Sequence, residues 1–572
     1  MDYKIAYDNW VSEKTLNAEA IKELNSISDN EKEKEYRFGA ELSFGTAGMR
    51  GIMGYGTNMM NVYTVRRATK GLADYVHSLG KSAELRGVVI SYDTRNNSKA
   101  FALAAAGVLL KENIQVYMYS EPRPVPMLSY AVRKLKTVAG IMITASHNPK
   151  EYNGYKVYGE DGGQMPPDAA AVVINEINKT DIFTGVKLID LSEAKEKGLL
   201  ETVGKDLDEK FLETIQKEQL NPECIKKAAL KLVYTPFHGT GSRPIKEILK
   251  RIGFDNVIVV KEQDTEDGNF PTVKSPNPED KEGFKLAIDI AKKEDVDLII
   301  GTDPDCDRVG VVVRSNDAEY HVLTGNQTGA LLTEYILSSR KAQGKLPTDG
   351  VVIKTIVTTE LSAAIAREYG VEIMNVLTGF KYIGEKMTEF ENNGGHTYVY
   401  GFEESYGCLV GTHARDKDGV SATMMIAEMA AYYKTQGKTL YEAMRDLYKK
   451  YGYYTEKTVS FTMPGKDGME KMKSLLENMR KNPPEEVNGE KVISCADYLE
   501  QTSSDGKTSF DGLPRSDVLK YQLSDGKTYF IVRPSGTEPK IKLYLGTVGK
   551  NEAEAQSITE NTLADIKKQL GL

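Results

Sequence analysis

The sequence predicts an α/β protein of three repeated α/β domains with mixed, mainly parallel sheets, followed by a C-terminal α+β domain. Three observations carry this. Short, nearly charge-free strands alternate with amphipathic helices between about residues 62 and 440, the pattern of a mainly parallel sheet covered by helices. The alternation passes through three cycles, each with a buried strand that breaks abruptly into small and polar residues. From about Tyr453 the pattern changes to strand-like segments, one helix and a hairpin turn at Ser524-Asp525-Gly526. A chain of 572 residues also exceeds one core at about 150 residues per domain. We place boundaries near 205, 320 and 440, giving segments 1–205, 206–319, 320–440 and 441–572.

Residues 1–38 are charged and helical in character and are expected to pack on the first domain as an arm. Leu42 to Gly51 then sets three glycines around Arg50, a loop whose backbone can come close to an anion. A helix is expected over Val62–Leu79, a strand over Gly87–Ser91, a helix over Ser98–Lys111 and a strand over Gln115–Tyr119. A buried strand, Val138–Ile143, runs into Thr144-Ala145-Ser146-His147-Asn148-Pro149. Strand ends of this kind are where α/β enzymes present chemistry. Ser146 is the one residue there able to act as a covalent carrier, although a serine after a strand more often caps a helix. In the second cycle, strands at Ala229–Tyr234, Val257–Val260 and Val296–Gly301 lead to Asp303-Pro304-Asp305-Cys306-Asp307-Arg308. The third has strands at Gly350–Lys354, Glu372–Val376 and Thr397–Gly401, ending in Phe402-Glu403-Glu404-Ser405-Tyr406-Gly407. The polar run Lys481–Lys491 reads as a surface loop, and Phe530–Pro534 leads into Ser535-Gly536-Thr537.

Composition narrows the class of function. With 40% hydrophobic and 27% charged residues the chain is an ordinary globular protein, and a net charge of −8 provides no broad footprint for nucleic acid. Any basic patch is therefore local, which suits small anionic ligands. Cys224, Cys306, Cys408 and Cys495 are scattered without a C-x-x-C pair, which fits a reducing compartment and neither a disulfide framework nor a zinc site. The N-terminus has no apolar signal segment, and the longest apolar run, Phe101–Leu110, is too short to span a bilayer. A cytoplasmic protein without membrane or nucleic-acid partners is expected, a monomer or a homodimer.

Asp303, Asp305 and Asp307 alternate directly after a strand, so that three carboxylates converge on one hard cation. Oxygen ligands of this kind select Mg²⁺, Mn²⁺ or Ca²⁺, and Arg308 stands one residue on to meet a phosphate. An EF-hand is excluded, because its glycine and glutamate positions hold Arg308 and Arg314. The adjacent carboxylates Glu403 and Glu404 and the Ser405 hydroxyl, set between glycines, suit accepting hydrogen bonds from sugar hydroxyls. Arg415-Asp416-Lys417-Asp418-Gly419 precedes a helix and reads equally as a cap at Asp418 or as a functional loop. Arg533-Pro534-Ser535-Gly536-Thr537 combines a cation, two hydroxyls and a glycine-opened backbone, a phosphate cradle without the Walker A spacing. A divalent-metal loop, a phosphate cradle and a serine at a strand end are together the parts of phosphoryl transfer.

Taken in order, F-G-T-A-G-x-R-G, T-A-S-H-N-P, D-P-D-x-D-R, G-F-E-E-S-Y-G and R-P-S-G-T-E-P-K resemble the α-D-phosphohexomutase superfamily, in its phosphoglucomutase/phosphopentomutase branch, from about Glu41 to Leu572. The resemblance implies four domains around a central cleft, one motif from each. It implies that Ser146 is a phosphoserine and that, with Asp303, Asp305 and Asp307, it holds Mg²⁺. Glu403 and Ser405 would grip the sugar, and Arg533, Ser535, Gly536 and Thr537 the phosphate that is not reacting. Arg50, Arg308, Lys156 and Lys381 also fall on family active-site positions, Lys156 as the proton-transfer candidate. The implied reaction interconverts glucose 1-phosphate and glucose 6-phosphate through glucose 1,6-bisphosphate, which also serves as activator. Its alternatives are a phosphopentomutase or sugar-bisphosphate synthase of the same family and, more remotely, an aspartyl-nucleophile phosphatase using Asp303. Two positions depart from relatives. Gly407 stands where some bacterial mutases have histidine, so His147 is the expected substitute as general acid, ahead of His413; Met59 replaces a common arginine.

Overall fold

The computed structural model describes residues 2–45, 48–463, 467–506, 508–510, 512–534 and 540–571. These fall into two compact units: Met1–Thr324 with Ile383–Gly401 and Ser405–Thr439, and Gly325–Tyr382 with Phe402–Glu404 and Leu440–Leu572.

The first unit is built on two sheets with one plan. In the first sheet, strands Ala139–Ile143, Val88–Tyr92, Val116–Tyr119 and Leu200–Val203 lie side by side in parallel. Strand Tyr152–Gly159 then runs antiparallel to Ala139–Ile143, and Met49–Ile52 runs antiparallel to it in turn. In the second sheet, Leu298–Thr302, Leu232–Thr235 and Val257–Val259 are parallel. An antiparallel edge follows, Val309–Arg314 and Tyr320–Leu323. The central strands Val88–Tyr92, Ala139–Ile143 and Leu298–Thr302 are buried at every position, as strands covered on both faces must be. Helices Val62–Ser78 and Ser98–Lys111 pack on the first sheet through Val65, Leu72, Phe101 and Leu109.

This plan removes the alternative role for Ser146. No helix follows Ser146; the chain turns and returns as an antiparallel strand, so Ser146 is not a helix cap. The aspartate loop does the same between Leu298–Thr302 and Val309–Arg314. The segment 403–407 likewise joins two neighbouring strands, Thr397–Phe402 and Cys408–Val410.

The N-terminal arm forms three helices, Tyr3–Ser12, Ala18–Ser26 and Glu31–Phe38, capped by Asp2, Asn17 and Asn30. Trp10 anchors it, edge-on to Phe38, Tyr63 and Phe183.

In the second unit, Gly350–Thr355 and Glu372–Val376 pair in parallel. The C-terminal part is an antiparallel seven-stranded sheet from Tyr453 to Gly549, with helices Gly468–Lys481 and Glu552–Leu570 packed on it through Met472, Leu476, Leu563 and Ile566. Ser524-Asp525-Gly526 turns the chain between the paired strands Leu519–Leu523 and Tyr529–Pro534. Lys481–Lys491 differs from the expected loop. It contains the hairpin of Glu486–Val487 with Glu490–Asp497, turned at Asn488-Gly489 with φ of 52° and 78°. Two successive left-handed residues are what a tight hairpin needs, and Asn-Gly supplies them. Among the described residues no helix is long and apolar enough to cross a membrane.

Candidate active site

The first unit gathers three loops around Ser146. Its backbone is left-handed, with φ of 53°, and its amide donates to Thr144 Oγ1 at 2.9 Å. Its Oγ lies 3.0 Å from Asp303 Oδ2 and 3.0 Å from His147 Nδ1. Asp303 Oδ1 accepts the amides of Asp307 and Arg308 at 3.1 and 3.0 Å, which fixes the turn of the aspartate loop. Thr144 Oγ1 also reaches Asp305 Oδ2 at 3.2 Å.

Asp303, Asp305 and Asp307 are buried, and one carboxylate oxygen from each lies within 4.8 Å of the others. Burial and the neighbouring carboxylates push the Asp303 carboxyl well above its usual range. For Asp307 the upward push of burial is overcome by Lys417, Lys156 and Arg308, which hold it below the usual range. Asp305 Oδ1 and Asp307 Oδ1 are buried with no hydrogen-bond partner. Orphaned carboxylate oxygens beside each other are costly unless a cation completes them, so the donor set fits a hard divalent ion.

Two lysines border the triad. Lys156, in mid-strand, donates to Asp305 Oδ2 at 2.9 Å and lies 3.7 Å from Asp307. Lys417 Nζ lies 3.3 Å from Asp307 Oδ2 and 3.0 Å from Asp416 Oδ1. Lys417 is the residue that sequence reasoning passed over. A Cβ at Gly407 would sit 2.0 Å from Lys417 Cδ, so the lysine stem fills the space that any side chain at 407 would need. Of the two readings of the 415–419 segment, the cap is present: Asp418 caps helix Gly419–Thr435 by accepting from Val420 N. That helix starts against the metal loop, with Gly419 N donating to Cys306 O at 3.0 Å.

Arg50 lies on the edge strand and donates to Asn148 Oδ1 at 3.1 Å. The preceding loop is seated by Gly48, whose φ is 102° and whose added Cβ would fall 1.9 Å from Tyr155 O. Thr46 and Ala47 of that loop are outside the described residues. Arg308 pairs with Glu279 at 2.7 Å. Burial, with Arg308 and Arg50, pushes His147 down to about 2, so its imidazole is neutral and serves Ser146 Oγ as a hydrogen-bonding partner. His413 instead pairs with Asp418 at 2.8 Å and packs on Phe211. Met59 is buried in the first unit. The loop carrying Ser405 is tied to the metal loop, since Val309 N donates to Tyr406 O at 2.9 Å.

Within the second unit, Glu403 is buried, and Glu404 accepts from Thr355 and Thr358 Oγ1 at 3.3 and 3.2 Å. Glu404 thus anchors the loop that presents Glu403. Tyr544 is raised to about 12 by burial and Glu404, while Arg533, bonded to it, opposes the rise. Lys381 opens helix Phe380–Asn393 and lies 4.7 Å from the Tyr382 ring centroid. Ser535, Gly536 and Thr537 lie outside the described residues.

Comparison with known proteins identifies the family. Residues 41–182, 209–316 and 324–451 match phosphoglucomutase/phosphomannomutase alpha/beta/alpha domains I, II and III, and 470–563 match the C-terminal domain. A phosphoglucomutase of Staphylococcus haemolyticus is 37% identical over 540 residues, covering 93% of this chain and 95% of its own. One from Staphylococcus aureus is 36% identical over 542 residues, covering 94% of each. Among solved structures, a phosphoglucomutase/phosphomannomutase family protein of Burkholderia thailandensis shares the fold, with a TM-score of 0.66 at 19% identity over 92% of this chain and 97% of its own. Parafusin, a phosphoglucomutase of Paramecium, does so with a TM-score of 0.66 at 16% identity over 93% and 96%. With all four domains in order and relatives aligned along nearly its whole length, the chain belongs to the phosphoglucomutase/phosphomannomutase family.

Proposed function

We propose that this chain interconverts glucose 1-phosphate and glucose 6-phosphate, with Ser146 as the phosphate carrier. The observation that carries this reading is Ser146 Oγ at 3.0 Å from Asp303 Oδ2, inside a buried triad with two orphaned carboxylate oxygens. The same geometry speaks against Asp303 as a nucleophile, because both its oxygens already hold the Ser146 hydroxyl and two loop amides. The relatives named phosphoglucomutase support the choice of reaction.

Asp303, Asp305 and Asp307, with the oxygens of a phosphorylated Ser146, would hold Mg²⁺, which when bound would offset phosphate charge. A phosphoserine carries about −1.5 to −2 charges at neutral pH, and Arg50, Arg308 and Lys156 share in compensating it. In the forward half-reaction the P–Oγ bond of Ser146 breaks, a bond forms between phosphorus and a sugar hydroxyl oxygen, and the hydroxyl proton leaves to a base. The product is glucose 1,6-bisphosphate. In the second half, Ser146 Oγ takes the other phosphoryl group and the released sugar oxygen is protonated. Lys156 and Lys417 flank the triad on the strand and helix sides, and we assign proton handling to this pair. Glu403 and Ser405 would bind the sugar hydroxyls. Lys381, Arg533, Ser535, Gly536 and Thr537 would bind the phosphate that is not reacting. The domains would divide near 205, 320 and 440.

Coupled assays with glucose 1-phosphate and ribose 1-phosphate, each primed with glucose 1,6-bisphosphate, test the substrate. A higher kcat/KM for the hexose is expected, together with loss of activity on chelation and its return with Mg²⁺. A higher value for the pentose rejects the glucose assignment.

A further inference from the structure

Behind the serine loop lies a charged pair that the mechanism above does not use. Arg95 and Asp93 follow strand Val88–Tyr92, and both side chains are fully buried. Asp93 Oδ1 accepts from Arg95 N at 2.9 Å and from Ser98 Oγ at 2.6 Å, so the carboxylate is locked to the start of the next helix. Its Oδ2 faces Arg95 Nε at 3.3 Å. The guanidinium then reaches under the serine loop. Nη2 donates to the carbonyls of Ser146, at 2.6 Å, and Asn148. Nη1 donates to those of Pro149 and Tyr152, at 2.9 and 3.2 Å. The ring of Phe270, 5.0 Å from Arg95 Cζ, covers the group. A guanidinium has five N–H donors in a rigid fork; four go to the loop, and Nε faces Asp93 Oδ2 as an ion pair without a hydrogen bond.

We infer that Arg95 is a positioning residue: one buried guanidinium pins four carbonyls of residues 146–152 and holds Ser146 Oγ in line while its phosphate comes and goes. The loop has reason to need this. A non-glycine residue at φ of 53° is held in a strained left-handed conformation, which persists only where its surroundings enforce it. The charge on Ser146 also swings by about two units in each half-reaction, beside three aspartates that repel it. Lysine, a point donor with three N–H groups, cannot replace the fork. The inference rests on the proposed phosphoserine cycle, but part of its test does not.

In Arg95→Lys, kcat should fall about 100-fold, as an ångström-scale misplacement of a reacting group predicts, with KM within about threefold. Amides of 146–152 should exchange hydrogen at least about tenfold faster in the unliganded variant, with the rest of the first sheet unchanged. In Arg95→Ala, added guanidinium ion should restore part of kcat, as it would not for a group of merely structural value. Retention of kcat in Arg95→Lys, or unchanged exchange of 146–152, overturns the inference. Loss of protection across the whole first sheet in both variants also overturns it, in favour of a general packing role. Hydrogen exchange is read without turnover, so a failure of the mutase assignment shows in the wild-type assay and is distinct from a failure of this one.

Discussion

At the scale of single residues, the proposed chemistry rests on Ser146 and on the two lysines beside the aspartate loop. Serine alone is a weak nucleophile and a common turn residue; here its Oγ meets Asp303, while Lys156 and Lys417 pair with Asp305 and Asp307 of the same loop. Lys417→Met removes one counter-charge from Asp307 and one of the two proposed proton carriers, so kcat should fall by about 100-fold or more in the coupled assay. A fall below threefold would remove Lys417 from the site. The aspartate triad and Ser146 were legible in the sequence, because alternating carboxylates after a buried strand have few stable arrangements without a cation. Lys417 was not, because its role depends on the space left at Gly407, and that space exists only once the loops have been brought together.

At the scale of elements, the serine and aspartate loops are hairpin connections between a strand of the parallel set and the antiparallel strand beside it, next to the sheet edge. This places Lys156 opposite Met142, on the strand that follows Ser146, and lets the lysine reach back over the loop. Strand positions were readable from apolar runs; the return direction was not, because Tyr152–Gly159 carries polar residues and lacks the look of a buried strand. Asn488-Gly489 was a readable hairpin signal hidden within a charged run. The Arg50 loop depends on Gly48, where a methyl group meets the Tyr155 carbonyl and a left-handed φ besides. Gly48→Ala should destabilise the first unit by about 2–3 kcal/mol in chemical denaturation, with a lower midpoint and an unchanged m-value. A wild-type midpoint would contradict the seating of that loop.

Over the whole molecule, the chain carries a net charge of −8, so cations that meet a sugar phosphate act locally. Stability carries a pH signature from the second unit. Burial raises the Glu456 carboxyl to about 7, while its bond to Thr359 and the charge of Lys354 pull it down. A carboxyl whose folded value lies above its unfolded value of 4.5 binds more protons folded than unfolded between those limits. Its contribution is therefore greatest below pH 4.5 and is lost as pH rises to about 7. Glu456→Gln should raise stability by about 2 kcal/mol at pH 8 and little at pH 4.5. An equal effect at both values would show that burial is not what shifts this group.

The central claim, that Ser146 carries phosphate between the two ends of one sugar, is tested most directly by mass spectrometry of the protein after incubation with glucose 1,6-bisphosphate and Mg²⁺. The account predicts a single phosphoryl group on the peptide containing Ser146, discharged by adding glucose 6-phosphate and absent in Ser146→Ala. Phosphate on Asp303, or full turnover with no phosphate on Ser146, would contradict it.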